Sequence, residues 1–164
     1  MKIKTEGISE LVLEVASMDR AVHFWSRQLG FPVVEQWGMD EGQFSKEGRV
    51  HATWLYVGGV TRLGLWLKRP FSSAELKEKE EPVSTWKGLY DEGGVHVHVA
   101  FKLNRAAFPA TVALLQSEEI DYKWFQEDEQ RLYVKDPDGN IVEFYERDMK
   151  QLYSREAVND NVNE

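Results

Sequence analysis

Apolar and polar residues alternate along several short segments of the chain, as they do in strands that bury one face. In the first half of the chain the alternation predicts four strands, at residues 10–15, 32–37, 51–57 and 61–68. It is clearest in the fourth, where Leu63, Leu65 and Leu67 share one face. Gly58 and Gly59 precede that strand and predict a hairpin turn.

A helix is predicted between the first and second strands. Apolar residues recur there at intervals of three and four over residues 18–29. Ser17 stands at the N-cap position, and Gly30 stands where a glycine commonly ends the last turn. The first half of the chain is therefore predicted to run strand, helix and three strands.

The same order recurs in the second half. A strand is predicted at 95–103, and after a helix three more are predicted at 122–126, 131–135 and 141–147. The segment 136–140, Asp-Pro-Asp-Gly-Asn, predicts a tight turn between the last two strands. Pro109 leaves two alternatives, because the helix either begins near Phe108 with the proline in its first turn or is kinked there.

The repeated order predicts one domain of class α+β built from two modules. Module one covers about residues 8–69, a charged connector about 70–92, module two about 93–147, and a polar tail 148–164. A length of 164 residues fits a single domain.

Composition excludes several functional classes. The chain has 20 Lys and Arg against 28 Asp and Glu, a net charge of −8 without basic runs, which argues against a nucleic-acid partner. It has no cysteine, so metal binding is left to histidine and carboxylates. It also has no apolar stretch of membrane-spanning length and no signal-peptide pattern near residue 1. A soluble, cytoplasmic protein without a membrane partner is expected.

Two tandem βαβββ modules resemble the vicinal oxygen chelate superfamily, which contains glyoxalases, bleomycin-resistance proteins and extradiol dioxygenases. Residues 15–21, 24–25 and 29–31 look like the family's strand-to-helix signature. Residues 98–101, His-Val-Ala-Phe, look like its metal-bearing strand, and 136–144 look like its terminal hairpin. The resemblance implies paired U-shaped mixed sheets around a central cavity, helices outside, and a homodimer.

If the apolar positions face the helices, the period of two places the alternate positions on the cavity side. The candidate substrate-binding residues at such positions are Arg62, Trp66, His96, Trp124, Arg131, Tyr133 and Tyr145. Their aromatic rings favour stacking on a flat small molecule, and the acidic balance of the chain favours a cationic one.

The resemblance also implies where metal ligands would lie, on the first and last strands of each module. Three of the four positions hold Glu10, His98 and Glu143, and a histidine is usual at the position of Glu10. The fourth position holds Gly64, which has no side chain that could bind a metal. One histidine and two carboxylates suit a divalent ion such as Fe, Mn, Ni or Zn. Glu10 could instead pair with an arginine or a cationic ligand, and His98 with Glu143 could be a buried hydrogen-bonded pair.

Two functions follow from these alternatives. The first is a metal-dependent enzyme, a lyase, isomerase or dioxygenase, in which the ion acts as a Lewis acid on a small oxygenated substrate and Glu143 or Glu10 is the catalytic base. The second is a metal-free protein that binds a drug or metabolite, as in the bleomycin-resistance branch of the family.

Overall fold

The computed structural model describes residues 8–40, 43–45, 49–67, 97–127 and 129–147. The predicted connector at 70–92, the tail at 148–164 and the candidate residue His96 lie outside the described residues.

The described residues of module one form five strands and one helix. The strands are β1 (Glu10–Val15), β2 (Val33–Asp40), β3 (Gln43–Ser45), β4 (Arg49–Gly58) and β5 (Thr61–Leu67). The helix α1 covers Met18–Val22 and continues as a π-helical segment over His23–Gln28. Ser17 Oγ accepts a hydrogen bond from the Arg20 N–H group, and Gly30 has a positive φ of 81°, so both predicted ends of the helix are confirmed. The short β3 is an addition to the predicted elements.

Module two repeats this order with four strands. They are β6 (His98–Lys102), β7 (Tyr122–Phe125), β8 (Arg131–Lys135) and β9 (Ile141–Tyr145). The helix α2 spans Phe108–Ser117 and has Pro109 in its first turn, where a missing N–H group costs no hydrogen bond. Asn104 caps the 3₁₀ turn Arg105–Ala107 just before it. Of the two alternatives at Pro109, the structure therefore has the helix start and not the kink.

Each module folds into one mixed sheet. The first sheet has the strand order β1-β5-β4-β2-β3 and the second β6-β9-β8-β7. In each, the first strand of the module lies parallel to the last, and the other neighbours are antiparallel. The predicted α+β class with two βαβββ modules is thus confirmed. Neither helix of the described part of the chain has the length and apolar character needed to cross a membrane.

The core lies between the helices and one face of each sheet. Leu13 and Leu65 of the first sheet, Leu132 of the second, Trp25 of the α1 π-helical segment and Phe108 of α2 are at most 1% exposed and belong to one cluster. The opposite side of each sheet is here called its open face. Val12 and Tyr56 on the first open face are 45% and 46% exposed, so the helices leave this side accessible.

The turn between β8 and β9 joins the two modules. Asp138 Oδ1 accepts a hydrogen bond of 2.8 Å from the Ala16 N–H group of module one. Asp136 Oδ2 accepts one of 3.4 Å from Trp25 Nε1, and the same carboxylate also accepts from the N–H groups of Asp138 and Asn140 and from the Asn140 amide. Burial raises the pKa of Asp136 to about 6, against these hydrogen bonds, which lower it.

This buried carboxyl predicts a pH dependence of stability. Because its pKa rises from 3.8 to about 6 on folding, its contribution to stability is complete below pH 3.8 and is lost as the pH rises through 6. The loss amounts to about 3 kcal/mol. Urea titrations of the native chain and of Asp136→Asn give the free energy of unfolding of each protein. We expect the difference, native minus Asp136→Asn, to fall by about 3 kcal/mol between pH 4 and pH 7. A difference that rises with pH would contradict a raised pKa.

Candidate functional site

Glu10 is the centre of a polar cluster on the open face of the first sheet. Arg62 Nε and Nη2 donate to its Oε2 at 2.9 and 2.8 Å, and Trp54 Nε1 donates to its Oε1 at 2.9 Å. The Trp54 hydrogen bond is the largest influence and lowers the pKa of Glu10; burial opposes it, and Arg62 lowers it further. Glu10 is therefore an ionised carboxylate, and both of its oxygens accept hydrogen bonds.

Arg62 connects this carboxylate to a second one. Its Nη1 lies 3.2 Å from Glu35 Oε2, and its guanidinium carbon lies 5.1 Å from the centre of the Trp54 ring. Trp37 Nε1 donates to the other Glu35 oxygen at 2.6 Å. The candidate Arg62 is thus on the predicted face, where it forms two ion pairs and a cation–π contact.

Gly64 occupies the fourth ligand slot implied by the family resemblance, and two indole rings crowd it. A Cβ atom there would lie 3.1 Å from Trp66 Nε1, 3.2 Å from Trp54 Nε1 and 3.3 Å from Val12 Cγ2. The two rings meet edge to face with centroids 5.7 Å apart. A ligating side chain at position 64 would require these indoles to shift, so the slot is filled by tryptophan. Trp66 itself is on the open face, as predicted, in register with Glu14.

Glu143 is the corresponding centre on the open face of the second sheet. Its side chain is 8% exposed, its Oε2 lies 3.0 Å from His98 Nε2, and Tyr133 Oη donates to its Oε1 at 2.9 Å. Burial, followed by the hydrogen bond to Glu143, raises the pKa of Tyr133 to about 12. Tyr133 is therefore a protonated donor that orients the carboxylate toward His98.

Tyr145 and Arg131 lie beside this group on the same face. The Arg131 guanidinium carbon is 5.9 Å from the centre of the Tyr145 ring, and Tyr145 Oη donates to Glu129 Oε2 at 2.7 Å. Burial, followed by this hydrogen bond, raises the pKa of Tyr145. Both candidates are on the predicted face.

The placement of Trp124 on the cavity side was wrong. Trp124 is in register with the buried Leu132, packs against the core, and donates from Nε1 to Gln130 Oε1 at 3.1 Å. Its neighbours Lys123 and Phe125 occupy the open face, in register with Tyr133 and Arg131. Tyr122, Trp124 and Phe125 are all aromatic, so alternation in this short strand gives little indication of which side faces the core.

Trp54 and Glu35 belong to the polar cluster around Glu10 and Arg62, and the sequence pattern did not predict them. Trp54 lies in a strand segment, residues 51–55, that is buried throughout, so the polarity pattern that marks an open face is absent. Glu35 falls after an irregularity in the pairing of β2 with β4. The period of two counted from Tyr56 was the one available signal for Trp54.

The expected metal ligands do not come together in the described residues. Within 8–40, 43–45, 49–67, 97–127 and 129–147, no three His, Asp or Glu side chains form a group that could hold a metal ion. His98 and Glu143 are paired on the second sheet, whereas Glu10 is on the first with a guanidinium 2.8 Å from one oxygen. Because that positive charge occupies the carboxylate a cation would need, this arrangement of Glu10, His98 and Glu143 does not fit the expected ion site.

The chain is similar to one protein family and to solved structures. The family model of the Glyoxalase/Bleomycin resistance protein/Dioxygenase superfamily matches residues 7–144. A lactoylglutathione lyase from Agrobacterium tumefaciens is 17% identical with a TM-score of 0.58, over 87% of this chain and 94% of that one. A glyoxalase/dioxygenase from Nostoc punctiforme is 16% identical with a TM-score of 0.59, over 87% and 92%. At these identities the likeness shows a common fold.

No protein with a curated description matches the chain significantly. The family match nevertheless covers most of the sequence and agrees with the two βαβββ modules and their mixed sheets. The resemblance drawn from residues 15–31, 98–101 and 136–144 is thereby confirmed, and the chain belongs to the Glyoxalase/Bleomycin resistance protein/Dioxygenase superfamily.

Proposed function

We propose that this chain binds a small organic molecule on the open faces of its sheets, and that Glu10 serves there as a carboxylate fixed by Arg62 and not as a metal ligand. The contact of Glu10 with Arg62 and Trp54 carries this proposal. Both carboxylate oxygens accept charge-assisted or indole hydrogen bonds of 2.8–2.9 Å.

The backbone supports the pairing of Glu10 with Arg62. β1 lies parallel to β5, and Glu10 is the residue in register with Arg62. Neighbouring side chains on one face of a sheet are close enough to pair without rearrangement. A cation entering this cluster would have to displace a guanidinium that is already hydrogen-bonded to the carboxylate, so the cluster favours an organic ligand over an ion.

The aromatic side chains of the open faces supply the binding surface. The first face carries Trp66 and, beside Arg62, the largely buried Trp54, and the second carries the largely buried Tyr133 and Tyr145 near Arg131. Rings of this kind bury large apolar area and stack on flat molecules. We therefore propose Arg62, Trp66, Arg131, Tyr133 and Tyr145 as ligand-binding residues, and His96 remains a prediction.

A second candidate, a divalent-metal-dependent enzyme, is favoured by the contact of His98 Nε2 with Glu143 Oε2 at 3.0 Å. In that case Fe, Mn, Ni or Zn would supply Lewis-acid chemistry, and Glu143 or Glu10 would be the base. A catalytic ion of the zinc type commonly takes three protein ligands. His98 and Glu143 provide two, and Glu10 could become the third only if Arg62 released it.

Metal analysis and ligand screening separate the two candidates. The protein is purified without chelator and supplemented with each ion, and its metal content is measured. We expect no stoichiometric metal, and the same metal content in the native chain, His98→Ala and the control His23→Ala. In a thermal-shift screen of small organic molecules, a ligand at 100 times its Kd should stabilise the fold by about 2.7 kcal/mol and raise the Tm by about 5–10 °C. One equivalent of metal that His98→Ala abolishes would establish the second candidate and contradict the first.

We also propose that the protein forms a homodimer through its open faces. The first face carries Glu10, Glu14 and Glu35 against Arg62, and the second carries Lys123 and Arg131 against Glu143. Faces of opposite sign attract, and a two-fold axis would allow each copy to offer one face to the other. A ligand would then be enclosed between them.

Light scattering tests this association. At micromolar concentration we expect a mass twice the 19.0 kDa of one chain, and a shift toward monomer in 1 M salt, where charges are screened beyond about 3 Å. Glu14→Lys should weaken the dimer, whereas Asp19→Lys, an exposed change on α1, should not. A monomer mass for the native chain at low salt would contradict the proposal.

A further inference from the structure

Cations and aromatic rings alternate in one row across the open face of the second sheet. Register places Lys102, Tyr145, Arg131 and Phe125 side by side on β6, β9, β8 and β7. Arg131 lies 5.9 Å from the Tyr145 ring centre, and Lys123 Nζ lies 5.6 Å from that of Phe125. This end of the sheet therefore presents positive charge and ring surface together.

A groove of about 900 Å³ opens at this end of the sheet, a volume that suits a small organic molecule. Its charged and aromatic lining comprises Lys123, Trp124, Phe125, Glu127, Glu129, Arg131 and Arg147, so Trp124 borders the groove although it packs against the core. Arg147 lies 3.4 Å from Glu129, so these two charges compensate each other.

Apart from the Arg147–Glu129 pair, the described charged residues of the groove are the cations Lys123 and Arg131 and the carboxylate Glu127. In the part of the chain that the structure describes, neither Lys123 nor Arg131 belongs to an ion pair. Among the described lining residues Glu127 is the one further acid, so together these residues carry a positive charge although the chain has a net charge of −8. The acidic composition favoured a cationic ligand, whereas the local charge of this groove favours an anionic one.

The side chains that line the groove restrict the chemical class of its ligand further. A guanidinium binds a planar carboxylate through two parallel hydrogen bonds, and an ammonium group adds a point charge. Phe125 is 36% exposed and rests edge-on against Tyr133 with centroids 5.9 Å apart, so part of its ring surface is accessible to an apolar planar group.

We propose that this groove binds an aromatic carboxylate, with the carboxylate on Arg131 and Lys123 and the ring against Phe125. The inference rests on the proposed small-molecule function and names the chemical class of its ligand.

Calorimetric titration of the full chain with 2-naphthoate tests the proposal. The native protein should bind it, and Arg131→Ala and Lys123→Ala should each weaken binding at least tenfold. Arg27→Ala removes an exposed cation from α1 and should leave binding unchanged. A matched cation, 2-naphthylmethylammonium, should bind at least tenfold more weakly than 2-naphthoate, and the affinity for the anion should fall as salt rises.

Thermal unfolding of each variant checks that the fold is retained, and both substituted residues are exposed on strand surfaces. Unchanged 2-naphthoate binding in both Arg131→Ala and Lys123→Ala would overturn the proposal, as would equal or tighter binding of the cationic probe. If other molecules of the thermal-shift screen bind but 2-naphthoate does not, the aromatic-carboxylate proposal is contradicted and the proposed small-molecule function is retained. If no molecule of either charge binds, the aromatic-carboxylate proposal and the proposed function are both contradicted.

Discussion

The carboxylates of the turn at 136–140 hold the molecule together, because they bind both modules at once. Asp138 accepts from the backbone of Ala16 at the start of α1, and Asp136 accepts from the indole of Trp25 while closing its own turn. The same turn sets the register of β8 with β9, which places Tyr133 directly opposite Glu143. This buried loop thus contributes both to the joint between the modules, beside the shared core, and to the geometry of the second open face.

The two open faces carry different chemistry on the same scaffold. On the first, a carboxylate is neutralised by an arginine that also contacts an indole. On the second, a nearly buried carboxylate joins a histidine to a tyrosine, and cations lie around them. The Glu10–Arg62 pair is 28% and 42% exposed, and ion pairs at such exposure contribute little to stability. Their main consequence is the arrangement of charge on the ligand side of the sheet.

Proteins of very different sequence share this fold. What two such proteins share is the packing of apolar strand faces against helices, which tolerates many residue combinations. The ligand slots lie on the open faces, outside the helix-packed core, and one of them holds Gly64 between its two indoles.

Alternation and capping residues in the sequence determined nearly all of the strands, both helices and the faces of Glu10, Arg62, His98 and Glu143. These features are local, since a period of two or of 3.6 is set by backbone geometry alone. The partners of those residues were decided only by tertiary structure. Glu10 meets Arg62 because β1 and β5, which are far apart in sequence, lie parallel in one register.

The face of Trp124 and the proximity of Glu10, His98 and Glu143 were likewise decided by tertiary structure and not by the local sequence pattern. A strand with three aromatic residues among four lacks the polarity contrast that identifies its buried side, and pairing with Leu132 decided it. Whether Glu10 meets His98 and Glu143 depends on how the two sheets are placed, and sheet placement follows from the packing of the shared core and the turn at 136–140. No spacing along the chain encodes that distance.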